Sequence, residues 1–127
     1  MKPSTREWVA RAEEDFLAAS ALNRRRKRPL WNVVCFHVQQ AVEKYLKARL
    51  EEAGQTVPKT HDLLHLLGVL APIEPLWPAY HSAFSLLISY AVQARYPGGS
   101  VSKADARHAI LLCRRFRKEA RQSLGLQ

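Results

Sequence analysis

The 127 residues predict an all-α protein, an antiparallel up-and-down helical bundle of four long helices and one short one. Three observations carry this. Apolar residues recur at three- and four-residue spacing in several separate stretches, the period of a helix with one buried stripe. Capping residues and Pro or Gly breakers fall between those stretches, where helices begin and end. No segment sustains the apolar–polar alternation of a strand. The length suits one helical domain, 1–127, large enough to bury a core, and short connections favour antiparallel neighbours.

In the first helix, Ser4 with Glu7 reads as a capping box. Trp8, Ala12, Phe16, Ala19 and Leu22 continue at helical spacing from about residue 5 to the basic cluster Arg24–Arg28. Cations there suit the negative end of the helix dipole. Pro29 restarts the chain, and the second helix runs to about Ala53, with Gly54 as its C-terminal cap. Thr60 is expected to cap the short third helix, with Asp62 in its first turn, and Pro72 stops it after Ala71. The fourth helix spans Pro75 or Leu76 to about Ala94, before the Pro97-Gly98-Gly99 loop. Ser102 with Asp105 forms a second capping box and opens the fifth helix, which lasts to about Leu124, before Gly125.

The fourth helix is peculiar in having no charged residue between Glu74 and Arg95. Trp77, Tyr80, Phe84, Leu87 and Ala91 form an apolar row; Ser82, Ser85, Ser89 and Gln93 form a small neutral one. A helix wetted over half its circumference normally carries Lys or Glu there. The neutral row therefore belongs either inside the bundle or against another subunit.

The N-terminal Met-Lys-Pro-Ser-Thr-Arg-Glu lacks a signal-peptide core. The most apolar stretch, 75–94, holds two prolines, a histidine and three serines, a mix that hydrocarbon does not tolerate. No membrane association is expected. Cys35 and Cys113 stand singly on apolar faces and read as reduced core thiols of a cytoplasmic protein. Residues 1–28 hold eight Lys/Arg against four acids, and 103–127 hold seven against two. The middle, 29–102, balances at five of each. The net charge of +9 thus lies at the two ends of the sequence, a field that attracts polyanions if the first and last helices pack together. The last helix puts Arg107, Arg114, Lys118 and Arg121 on one stripe, with Arg115 and Arg117 flanking. Ala109, Leu112, Cys113, Phe116 and Ala120 lie opposite. No aromatic is interleaved among its cations, so the helix alone offers no base-stacking ladder.

The most informative segment is Phe36 to Ala48. Phe36 lies near the apolar row of Val34, Val38, Ala41, Val42, Tyr45 and Ala48. His37, Gln40, Lys44 and Lys47 form a second row at the same spacing, with Glu43 adjacent. Taken alone, that polar row is an ordinary solvated face, and Glu43 with Lys47 an i,i+4 surface pair worth roughly 0.3–0.5 kcal/mol. Downstream stand Thr60-His61-Asp62-Leu63-Leu64 and Arg95-Tyr96-Pro97. These three segments, in this order and at these distances, resemble the HEPN domain family. The likeness runs from about Trp8 to Phe116. It implies a helical domain, often a homo-oligomer (a dimer or dimer of dimers) and often paired with a small nucleotidyltransferase in a toxin–antitoxin-like system. It also implies association with nucleotide or RNA.

Arg95 is the leading functional residue. It ends an uncharged helix at the rim of the Tyr96-Pro97-Gly98-Gly99 loop, and its planar donor fork suits a phosphate. A local role capping helix carbonyls fits it equally well. His61 opens the third helix, where backbone amides help hold an anion; a local hydrogen bond to the turn serves as well. A groove gathering Arg95 and Tyr96 with His37, Gln40, Lys44, Lys47 and His61 is the candidate nucleotide site.

Catalytic templates are wanting. There is no glycine-rich phosphate loop with Lys-Ser or Lys-Thr and no Cys/His metal cluster, so neither a cofactor nor a metal is expected. The acid pairs Glu13-Glu14 and Glu51-Glu52 read as solvated, with no nearby partner by sequence. HEPN ribonucleases carry an Arg and a His with four to six residues between them. No histidine here has such an Arg; His108 has only Lys103 at that spacing, a point charge rather than a fork. The expected function is a non-catalytic module that binds a nucleotide, pairs with a nucleotidyltransferase, or both. An RNA-cleaving toxin with an atypical motif and a basic adaptor without a small ligand remain as alternatives.

Overall fold

The computed structural model describes residues 1–127 and contains helices and no strand. In order these are α1 (Pro3–Asn23), α2 (Trp31–Glu52), α3 (Leu63–Leu70), a 3-10 turn (Trp77–Tyr80), α4 (His81–Arg95) and α5 (Lys103–Ser123). α2 touches all four other helices. Lys2 and Thr5, at the start of α1, bond to Glu52 at the end of α2. Asn32 accepts a hydrogen bond from the Val101 N–H just before α5, and Arg49 donates to Ser123 at that helix's end. α1 and α2 therefore run antiparallel and α2 and α5 parallel, the up-and-down bundle that the periodicity predicts.

The apolar face of α2 is fully committed. Val34, Val38, Ala41, Val42, Tyr45 and Ala48 are each at most 1% exposed. Phe36 is not among them: at 46% exposed it stands outside the core row in which the sequence places it. Phe116 of α5 anchors an aromatic cluster, its ring centroid 4.9 Å from Trp77, 5.2 Å from Tyr80 and 5.0 Å from Phe84. These edge-on contacts tie α5 to α4 and to the 3-10 turn.

Several helix ends follow expectation. Ser102 and Asp105 exchange both bonds of a capping box. Gly54 takes φ +74°, and Gln55 N–H reaches Leu50 O while Gly54 N–H reaches Glu51 O, a Schellman closure. Other ends differ. α1 begins at Pro3 with no side-chain cap, because proline there loses no hydrogen bond and brings a helical φ. Ser4 instead donates to Glu51 Oε1 at 2.8 Å, so Glu51 and Glu52 have partners that sequence proximity hides. α3 is capped by Asp62, which accepts from Leu64 N–H, while Thr60 only braces the Asp62 amide. The expected fourth helix is split. Pro78 has no N–H and disfavours α geometry at Trp77, so a 3-10 turn precedes α4.

α4's neutral row is not interior. Ser82, Ser89 and Gln93 are exposed and Ser85 is partly so. Leu86 and Val92 beside them are 41% and 47% exposed. No helix of the chain is long and apolar enough to cross a membrane.

Candidate functional site

Of the two acid pairs, Glu13 is enclosed by partners from α2 and α5. Arg117 grips it bidentately, with Nε 2.7 Å from Oε2, and Tyr45 donates its hydroxyl to the same carboxylate. Arg121 Nη1 donates to Tyr45 Oη at 3.2 Å, so Arg121 is not a free surface cation. Burial raises the Glu13 pKa, but the Arg117 and Tyr45 hydrogen bonds and the two Arg charges outweigh it and hold it below the ordinary value. Burial first, then the bond to Glu13, pushes Tyr45 up to about 12. Burial also raises Cys35 to about 11 and Cys113 to about 12, leaving both thiols unreactive near neutrality.

The polar row of α2 divides. His37 donates from Nδ1 to Asp15 Oδ1 at 2.8 Å, and Lys44 Nζ donates to the other oxygen of the same carboxylate. Both point at α1. Lys47 and Glu43 form a pair at 3.1 Å whose side chains are only 6% and 4% exposed, so this is a buried ion pair and not the solvated one its spacing implies. Lys47 also lies 5.6 Å from the centre of the Trp8 ring, again toward α1. His37, Lys44 and Lys47 therefore do not share a groove with Arg95: α1 covers the side of α2 on which they stand.

Gln40, His61 and Arg95 do come together. They line a cavity of about 170 Å³ between α2, the start of α3 and the end of α4, with Phe36, Gln39, Glu43 and Ala91. A second hollow of about 250 Å³ adjoins it, sharing Phe36, Ala91 and Arg95 and adding Asn32, Val33 and Ala94. A small-molecule ligand commonly needs roughly 300–1,000 Å³, so a nucleotide would occupy both. Tyr96, 58% exposed, follows Arg95 without lining either hollow.

The cavity is chemically unsaturated. Arg95 is exposed and takes part in no ion pair. Gln39 Oε1 is buried with no hydrogen-bond partner, which ordinarily costs about 1–3 kcal/mol. Its amide nitrogen makes only a long bond, 3.5 Å, to His61 O. His61 Nδ1 lies 3.1 Å from Glu43 Oε1, although the His side chain is 83% exposed. The site thus offers a free guanidinium, an orphaned amide acceptor and an exposed aromatic rim at Phe36, while its carboxylate, Glu43, is already paired with Lys47 at 3.1 Å. An anionic group at Arg95 and a planar ring with N–H donors toward Gln39 would satisfy it.

The loop behind Arg95 is tightly folded. Gly98 has φ +90°, and a Cβ on Gly99 would lie 2.9 Å from the Gln93 carbonyl oxygen. Only glycine fits there without displacing the end of α4. Gln39 escaped the sequence reading, and Glu43 entered it only as a neighbour of the polar row and a surface partner of Lys47, yet Phe36, Gln40 and Glu43 also stand at i, i+4 and i+7. That row was as visible as the one beginning at His37.

Two histidines outside the cavity are also engaged locally, His37 with Asp15 and His108 with Tyr90, whose hydroxyl lies 3.0 Å from Nδ1. No three His, Cys, Asp or Glu side chains converge in a way that would hold a metal ion.

Comparison with known proteins gives one match: the HEPN domain family model aligns with residues 5–123, nearly the whole chain. No curated protein and no solved structure matches it. The chain belongs to the HEPN domain family.

Proposed function

We propose that this HEPN domain is a non-catalytic module that binds a nucleotide in the cavity formed by Gln39, Gln40, Glu43, His61 and Arg95. The observation that carries the reading is the pairing of an unengaged Arg95 with a buried, unpartnered Gln39 Oε1 in one hollow. Buried polar atoms are normally satisfied, and a nucleotide supplies both the anion and the ring donor. Tyr96 flanks the site. His37, Lys44 and Lys47 contribute through the packing of α2 rather than by contact.

The test is calorimetric titration of a nucleotide panel into wild type, Arg95→Ala, Gln40→Ala and Lys44→Ala. Loss of the Arg95 fork should weaken binding by about 2–4 kcal/mol, with Gln40 contributing about 1 kcal/mol and Lys44 nothing. Equal loss in Lys44→Ala would move the site to the α1 side, and absence of any nucleotide binding would put the adaptor reading first. Absence of catalysis rests on the missing Arg-to-His spacing and on the local engagement of His37 and His108. Cleavage of generic RNA that disappears in His37→Ala or His108→Ala would sink it.

The partner reading has two parts. The charge-free exposed face of α4, with Leu86, Val92 and the neutral row, fits a second copy of the chain, since closed dimers are the commonest assembly. Light scattering should give a multiple of 14.5 kDa, and Ser89→Glu should reduce it; a monomer across micromolar concentrations removes the claim. A small nucleotidyltransferase is the proposed heterologous partner, carried by family membership. Co-expression with a nucleotidyltransferase encoded beside this chain should yield a co-purifying complex, and failure to do so leaves the nucleotide reading to stand alone.

A further inference from the structure

The buried polar groups that line the Arg95 cavity are acceptors. Gln39 and Glu43 stand one turn apart on α2, so their side chains are neighbours on one face, and both line the hollow of about 170 Å³. Gln39 presents Oε1, which is buried and has no partner. Turning its amide over gives no relief. The oxygen would then face the His61 carbonyl, toward which Nε2 now points at 3.5 Å, and acceptor would meet acceptor. Glu43 presents a carboxylate, which has about four lone-pair sites. Lys47 Nζ takes one of them from the α1 side at 3.1 Å, and His61 Nδ1 lies 3.1 and 3.2 Å from the two oxygens. Lys47 is buried and stays. The His61 side chain, 83% exposed, is the partner that a ligand can displace.

Membership of the HEPN family implies a nucleotide without naming its base; the two acceptors do discriminate among bases. A base meets them with its Watson–Crick edge. Guanine alone among the common bases carries two adjacent donors there, N1–H and the 2-amino group. Adenine offers its 6-amino group followed by the N1 lone pair, and cytosine its 4-amino group followed by the N3 lone pair. Uracil has a single N–H between two carbonyls. Each of these three sets a lone pair against Glu43 or leaves Gln39 Oε1 unmet. A buried group deprived of its partner is what lets a polar site reject a near neighbour of its ligand.

We infer that the cavity selects guanine nucleotides, with Gln39 Oε1 and the Glu43 carboxylate between them accepting from N1–H and the 2-amino group. Gln40, partly exposed beside them, turns its amide to donate to O6, and Phe36 packs on the ring. Arg95, shared by both hollows, takes a phosphate, and the sugar lies against Val33 and Ala94 of the adjoining one. The inference rests on the nucleotide reading of this same cavity and adds the base to it.

The experiment is isothermal titration calorimetry of the full chain with the 5′-diphosphates of guanosine, inosine, adenosine, cytidine and uridine, which differ only in the base. GDP should bind about 10- to 100-fold more tightly than ADP, CDP or UDP. IDP, which lacks only the 2-amino group, should bind about 5- to 20-fold more weakly than GDP. Arg95→Ala should weaken GDP and ADP by a similar factor and so preserve their ratio. Glu43→Gln strands the buried Lys47 and risks the fold, so Gln39→Met is the decisive variant. It removes the acceptor, and should cut the GDP-over-ADP preference at least about 5-fold while raising the melting temperature of the free protein, because the unmet acceptor is gone. Lys118→Ala should change nothing. Equal affinity for GDP and ADP, both weakened in Arg95→Ala, would overturn the guanine assignment and leave the nucleotide site standing. A GDP preference unchanged in Gln39→Met would put the selecting groups elsewhere and overturn it too. No binding of any diphosphate would remove both readings.

Discussion

The two sides of α2 use similar residues to opposite ends. Toward α1, Asp15 meets both His37 and Lys44, and Lys47 is closed by Glu43 under the Trp8 ring. Toward α3 and α4, Arg95 is free, Gln39 Oε1 has no partner, and Phe36 is exposed. One side is a polar seam whose charges are spent on holding helices together. The other keeps its polar capacity open at the cost of stability, which is the usual condition of a binding site. Residue type does not separate the two sides; saturation does.

The largest effect separating the sides is on stability. Asp15 is buried, and its removal strands Lys44 and His37 against α1 without an acceptor. Lys44 and His37 are about a quarter exposed and keep access to water, so Asp15→Ala should cost about 1–3 kcal/mol, the range for hydrogen bonds to a charged group. Arg95→Ala should change stability by less than about 0.5 kcal/mol while abolishing most ligand affinity. Urea denaturation of the two variants checks this. If both are equally destabilised, the seam and the cavity are one network and the contrast fails.

Gly99 sharpens the comparison from the cavity side. An alanine there presses on the Gln93 carbonyl at 2.9 Å and must displace the loop that follows Arg95. Gly99→Ala should cost about 1–3 kcal/mol in stability and weaken nucleotide binding as well, whereas Asp15→Ala, at a temperature where it is folded, should bind normally. Unchanged affinity in Gly99→Ala would mean that the loop does not position Arg95.

Much of the fold was legible because its signals are local. The Ser102–Asp105 box spans three residues, and the Gly54 closure lies within one turn. The Ser4–Glu7 box was equally legible and did not form, since α1 starts at Pro3 and Ser4 lies inside its first turn, where its hydroxyl donates to Glu51, nearly fifty residues away. The site was half legible for a related reason. The rows starting at His37 and at Phe36 differ by one position on the same helix, and periodicity cannot say which faces α1 and which faces α4. Only packing decides that. The unmet acceptor of Gln39 belongs to tertiary structure and has no sequence signature.

A smaller test concerns α3, which carries His61 over the cavity. Asp62 caps this helix by accepting from Leu64 N–H at 3.0 Å, while Thr60 supports only the Asp62 amide. Asp62→Ala should cost about 1 kcal/mol, measured by thermal melting, and Thr60→Ala only a few tenths of that unit. The reverse order would restore Thr60 as the cap.

The smallest effect is a pH dependence confined to the seam. The Glu13 carboxyl is held below its ordinary value of 4.5 by Arg117, Tyr45 and Arg121, against the opposing effect of burial. A carboxylate whose folded pKa is depressed stabilises the protein fully above the unfolded pKa, and the contribution disappears as pH falls through the folded one. Glu13→Gln keeps the shape and removes the titration. Its stability deficit relative to wild type should be constant from pH 7 to about 5 and shrink steadily below the ordinary carboxylate range. Because Glu13 is partly solvated, with 24% of its side chain exposed, screening keeps the effect well below that of Asp15→Ala. Nucleotide affinity over the same range should be unchanged by this variant, since no Glu13 partner lines the Arg95 cavity. A deficit that stays constant down to pH 3 would mean that Glu13 contributes by packing alone, and a parallel loss of affinity would join the two sides of α2 into one unit.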